Sequence, residues 1–144
     1  MYKQILVAID VEESSSWERS LPVAVSLARC FSAKITLCSI LRDREVALEA
    51  QWSTIAFREI IEDKRAKLDL IARDASFAAI DVDVGVGSII GGILHIAETT
   101  NSTDLIVVHS HHPALRDHFL SGNAVRIARM APCSVLIVRP EEPD

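Results

Sequence analysis

The chain has 144 residues, of which 49% are hydrophobic, 24% charged and 5% aromatic, a balance that suits one domain with an aliphatic core and excludes a disordered chain. Fifteen Lys and Arg against twenty Asp and Glu give a formal charge of −5, and the most basic stretch, Asp63-Lys64-Arg65-Ala66-Lys67, is short and mixed. Attraction to nucleic acid or to an anionic membrane is therefore disfavoured, and no apolar run approaches the length that spans a bilayer.

The opening MYKQILVAID enters a strand at once and lacks the segments of a signal peptide. Cys30, Cys38 and Cys133 are odd in number and show neither CxxC nor finger spacing. A reducing cytoplasm is expected, with all three thiols buried as small hydrophobes.

Residues 4–9, QILVAI, read as the first strand, closed by Asp10, with Val-Glu-Glu-Ser-Ser-Ser as its exit loop. Ser14, Ser15 and Ser16 offer N-cap hydroxyls before Trp17, Leu21, Ala24, Val25, Ala28 and Phe31, which are spaced for one buried helix face. Pro22 leaves two possibilities: a helix starting near Ser20 with Pro22 in its first turn, or an earlier start with a kink. Residues 33–40, AKITLCSI, are a second buried strand, and 41–51 a crossover of mixed charge.

Over 52–74, Ile55, Phe57, Ile60, Ile61, Leu68 and Ile71 recur at helical spacing with Arg58, Glu62, Arg65 and Asp69 outside. That mixed polar face assigns the helix to the sheet rather than to a membrane. The alternation of 80–86, IDVDVGV, suits a strand near the sheet edge. Gly87-Ser88 is then a turn and cap before a helix over 89–100 with Ile93, Leu94 and Ala97 inward, weakened in its first turn by Gly91-Gly92.

Residues 103–108 and 133–138 are nearly continuous β-branched runs of the kind buried on both faces of a parallel sheet, joined by a His-rich loop over 109–117 and a helix. The order β-α-β-α-β-α-β-α-β predicts a single α/β domain over 1–144. Its core is an open parallel five-stranded sheet of order 3-2-1-4-5 with helices on both faces. Strands one and four are then neighbours, and the crevice between their carboxyl ends, closed by Asp10 and His109, is the switch point where ligands bind in such sheets.

G-x-G-x-x-G, G-x-x-x-x-G-K-[ST] and G-x-S-x-G are all absent, and no nucleophile paired with a base is recognisable. In His109-Ser110-His111-His112, imidazoles could compete for Zn, Ni or Cu, with Asp117 and His118 nearby to complete a shell. No metal is expected.

The opening ILVAID ending in Asp10, the second strand ITLCSI, Gly87 ahead of its helix, and SHHPALRDHFLSGNAVRIARMAPCSVLIVR over 110–139 carry a resemblance. Together, and in this order, they resemble the universal stress protein (UspA-like) family, most closely its F and G subgroup. The resemblance covers essentially the whole chain. It implies a Rossmann-like, adenine nucleotide alpha hydrolase-like fold and a cytoplasmic homodimer that is not an enzyme. Its implied regulatory ligand in the stress response is ATP or a related adenine nucleotide, with or without Mg2+.

ATP-binding members carry G-x2-G-x9-G-[STN], from which this chain departs. His109 and His112 stand at the two early glycines, with Gly122 and Asn123 completing the pattern. Counting back from the last strand instead puts Ser121 at the late glycine and Gly122 after it; both registers stay open. By resemblance, Asp10 holds the ribose or adenine, and Ala8 and Ile40 meet adenine mostly through backbone. His111, Gly122, Asn123 and Ala124 then lie along the phosphates. His109 and His112 obstruct the close approach that glycine permits, yet an imidazole can donate to an anion, more strongly when protonated.

Each assignment has a plainer counterpart. Asp10 can turn the chain, the three histidines can be solvated loop residues, and Gly122-Asn123 can be only a cap. Arg126 and Arg129 read as solvent-facing helix residues rather than phosphate clamps. The alternative function is a dimeric protein-interaction module that binds no nucleotide.

Overall fold

The computed structural model describes residues 1–50, 54–100, 102–110 and 122–141. The strands are β1 Gln4–Ala8, β2 Lys34–Arg42, β3 Ile80–Gly87, β4 Leu105–His109 and β5 Ser134–Val138. The helices are α1 Ser20–Phe31, α2 Asp43–Ala50, α3 Thr54–Asp74, α4 Ile89–Thr99 and α5 Ala124–Met130. All strand pairs are parallel and the sheet runs β3-β2-β1-β4-β5, the expected topology.

The three inner strands are buried nearly throughout, whereas β3 and β5 are mostly half-exposed. Position in the sheet explains the two sequence textures, since only an inner strand has both faces covered. Alternation divides the core: Ile5, Val7, Ile35, Leu37 and Val107 pack with Leu21, Val25 and Leu68 on the α1 and α3 side. Leu6, Ala8, Cys38, Ile40, Ile106 and Val108 pack with Ile90, Ile93, Ile96, Ala124 and Ile127 on the α4 and α5 side. Among the described residues no helix is long and apolar enough to cross a membrane.

Several local expectations are corrected. α1 starts at Ser20 with Pro22 in its first turn, which settles the two possibilities, but its N-cap is Arg19 and no serine caps it. Ser14–Ser16 instead form a 3-10 turn, and Ser16 is committed to the Asp10 backbone.

The expected crossover over 41–51 is also different. β2 continues to Arg42, paired through Leu41↔Val86 and Arg42↔Gly87, and α2 follows directly. Glu45 accepts the Arg42 amide at 2.8 Å, the reciprocal half of a capping box, with Asp43 adding negative charge at the positive end of the helix. In α3, Leu68 is buried but Ile55 is exposed, while Lys64 takes a buried place. Arg65 is exposed, as expected, and reaches the Val82 carbonyl at 3.3 Å. Trp52 lies outside the described residues.

The thiols are not alike. Cys38 is buried, Cys133 half-buried and Cys30 exposed, because Cys30 falls on the outer face of α1. Burial pushes the Cys38 thiol far up, and burial with the nearby Asp104 raises that of Cys133. Iodoacetamide should therefore label Cys30 first in the native protein and Cys38 only on unfolding, since the thiolate is the nucleophile. Peptide mapping by mass spectrometry checks this order; native labelling of Cys38 at the Cys30 rate would contradict the packing.

Candidate functional site

β1 stops at Ala8, whose partner Cys38 lies four residues before the end of β2. Ala8 pairs with Cys38 and Val108, the Ile9 amide still donates to the Cys38 carbonyl at 2.9 Å, and β2 runs on to Arg42. Asp10 therefore stands level with Ile40 and Ser110, in a notch at the carboxyl edge between β2 and β4.

The Asp10 backbone is held on every side. Its amide donates to Ser16 Oγ at 2.9 Å, and its carbonyl accepts from the Ser16 hydroxyl at 3.0 Å and from the Glu13 amide at 3.0 Å. Oδ1 accepts the Glu12 amide at 3.0 Å, an Asx turn. The turn-forming counterpart is thus realised, and it uses one carboxylate oxygen. Oδ2 has no hydrogen-bond partner among the described residues.

Glu12, next along this turn, is tied to α3 by Lys67 at 2.7 Å. That hydrogen bond holds the Glu12 carboxyl below its ordinary range, with Lys67 raised in return. A depressed carboxylate stabilises the fold above its unfolded value, and the benefit disappears as pH falls through the folded one. Both side chains are substantially exposed, so Glu12→Gln should cost at most about 1 kcal/mol at pH 7, a cost that fades as pH falls below the ordinary carboxylate range and through the lowered Glu12 value. Urea midpoints of the two proteins across pH check the sign.

Ala8 and Ile40 are buried on the α4 side, so each can offer a ligand only backbone. Ile40 is wedged under α4: a Cβ at Gly92 would sit 2.8, 3.0 and 3.2 Å from three Ile40 side-chain atoms. Gly92→Ala should therefore destabilise, overpacking of about 1–3 kcal/mol outweighing the helix-propensity gain of about 1 kcal/mol. Gly87 has φ +121 and open space around its missing Cβ, so Gly87→Ala should cost about 1–3 kcal/mol from backbone strain alone. Thermal unfolding measures both.

His109 ends β4 opposite Val138 and is 3% exposed, which corrects its reading as a solvated loop residue. Alternation places it on the Val107 side, opposite Ala8, Ile40 and Ala124. His111 and His112, Ser121, and Asp117 with His118 lie outside the described residues, and with them the completion of any histidine metal shell. Among the described residues no group of three His, Cys, Asp or Glu could hold a metal.

Gly122 and Asn123 form the turn into α5. Asn123 occupies the N-cap position without a side-chain cap bond. Among the described residues a Cβ at Gly122 would meet nothing within 4 Å. Ala124 is buried beside Ile127.

Next to the notch lies a cleft of about 440 Å³, lined by Arg42, Arg44, Ser88, Ile89, Asn123 and Arg126 among others, within the roughly 300–1,000 Å³ range of small-molecule sites. Arg42, Arg44 and Ser88 were not singled out as ligand residues. The only signal was their place just after β2 and β3, the edge where such folds bind ligands. Another cleft, of about 410 Å³, lies between α1 and the end of α3, away from the strand ends.

The sequence profile of the universal stress protein family matches residues 1–139, and the chain belongs to that family. A Staphylococcus haemolyticus protein bearing a universal stress protein name is 28% identical over 146 aligned positions, covering 98% of this chain and 87% of that one. A universal stress protein solved in complex with cAMP superposes with a TM-score of 0.67 at 20% identity, covering 97% of this chain and 98% of that one. A family member from Arabidopsis thaliana solved with AMP bound gives 0.60 at 13% identity, covering 96% and 92%.

Proposed function

We propose that this universal stress protein binds ATP or a related adenine nucleotide in the switch-point notch, as a regulatory ligand in a stress response and without turning it over. The observation that carries the reading is the locked Asp10 turn at the carboxyl edge beside Ala8 and Ile40, which uses one carboxylate oxygen and leaves Oδ2 without a hydrogen-bond partner among the described residues. Solved relatives with cAMP and AMP support it.

Asp10 Oδ2 accepts from a ribose hydroxyl or the adenine amine, and the backbone of Ala8 and Ile40 borders the base. Gly122, Asn123, Ala124, His111 and His112 run along the phosphates, with His109 buried at the end of β4. Any Mg2+ would come with the triphosphate. The protein acts as a homodimer in the cytoplasm.

Heat extraction of purified protein followed by chromatography, then titration of the stripped protein with ATP, tests the reading. Bound or rebinding adenine nucleotide supports it. Protein that carries none and binds none leaves the interaction-module reading, which the replacement of two motif glycines by His109 and His112 favours.

A further inference from the structure

We infer that the cleft beside the notch is an anion subsite built for a polyphosphate group, held by Arg44 and Arg126 with the first turn of α4. The inference rests on the proposed nucleotide reading for the source of that group. Asn123, proposed above to lie along the phosphates, also lines the cleft, and so do Arg42 and Asp43, which follow Ile40 within three residues.

Three arginines line this volume, from two separate parts of the chain. Arg42 and Arg44 come from the junction of β2 and α2, and Arg126 from α5. A single carboxylate, Asp43, joins them in the lining, in a chain whose net charge is −5. Arg42 is partly neutralised by Glu45 at 3.7 Å. Arg44 and Arg126 form no ion pair among the described residues. Like charges held around one concave surface repel, and a bound anion reverses the sign of that interaction.

The floor of the cleft adds donors. The Ser88 side chain accepts the Gly91 amide at 3.1 Å and its carbonyl the Gly92 amide at 2.8 Å. The Ile89 and Ile90 amides, in the first turn of an eleven-residue helix, have no intrahelical acceptor. Two amides and two guanidiniums supply more donors than one carboxylate accepts, and guanidinium forks match phosphate oxygens. A pyrophosphate-type anion fits this set.

The test uses the full chain and inorganic pyrophosphate as probe, followed by amide chemical shifts. Pyrophosphate should move the Ser88, Ile89 and Ile90 amides. The Arg44→Gln/Arg126→Gln double variant should weaken it at least tenfold at unchanged melting temperature, while Arg129→Gln, on the same helix but outside the lining, leaves it intact. Pyrophosphate that leaves those amides unmoved, or binds the double variant equally, overturns the subsite. Adenosine reports on the notch alone, so its failure sinks the nucleotide reading without touching the pyrophosphate result. ADP that displaces pyrophosphate and binds more tightly identifies the nucleotide as the source; ADP that binds no more tightly identifies free polyphosphate.

Discussion

Asp10→Ala is expected to weaken adenosine and ATP alike, by about 10- to 150-fold, the equivalent of a charge-assisted hydrogen bond of about 1.5–3 kcal/mol. The loss should not be accompanied by unfolding. The notch is shaped by backbone contacts of Asp10 with Ser16 and Glu13, which the substitution keeps, and only the Oδ1 bond to Glu12 disappears. His111→Ala should behave differently, sparing adenosine and weakening ATP, and most strongly in acid. An unperturbed imidazole titrates near about pH 6.5; its protonated form adds positive charge beside the phosphates, so proton uptake and ATP binding favour each other. ATP should bind more tightly at pH 6 than at pH 8, and adenosine equally at both. Calorimetric titration of both ligands with each variant separates the ends of the site. ATP affinity that is tight but independent of pH rejects the histidine mechanism and retains the ligand.

The strand order was legible because inner and edge strands carry different patterns: LIVVH is buried throughout in β4, while IDVDVGVG alternates in sequence and is mostly half-exposed in β3. What the pattern hid was decided by single contacts. α2 escaped notice because its cap is Arg42, whose amide is satisfied by Glu45 rather than by a cap hydroxyl. Ile55 fits the apolar period of α3 yet is exposed, and Lys64 is buried, because the buried stripe follows the neighbouring elements and not composition. At the site, Asp10 could be placed from its position after an apolar run, but whether its carboxylate was consumed by the turn depended on Glu12 and Ser16. His109 sat at a strand boundary, where extending β4 by one residue moves an imidazole from solvent into the core. The cleft arginines were illegible for another reason: Arg44 and Arg126 are 82 positions apart in sequence and meet only through the fold.

Separation of a dimer by one substitution is the other large expected effect. Among the described residues β5 is an edge strand paired only with β4, and its Val135, Leu136 and Ile137 are half-exposed, a combination that natural sheets cover or pair. Pairing with a second copy across a two-fold axis would satisfy it. The outward groups can be named. The Val138 carbonyl accepts the Ser110 amide of the chain leaving β4 at 2.9 Å, and successive residues of a parallel strand alternate in the neighbour they face. The amides of Val135 and Ile137 therefore point to the open edge. Ile137→Pro removes one outward donor without touching the ladder to β4, and the two-fold counts the change twice. At about 1.5 kcal/mol per lost hydrogen bond, the dimer dissociation constant should rise at least about 100-fold. Leu136→Pro, whose amide faces β4, should instead lower the melting temperature of the subunit itself. Sedimentation across a concentration series distinguishes these outcomes. A wild-type chain that stays monomeric on concentration, or an Ile137→Pro chain with an unchanged dissociation constant, would remove β5 from the interface.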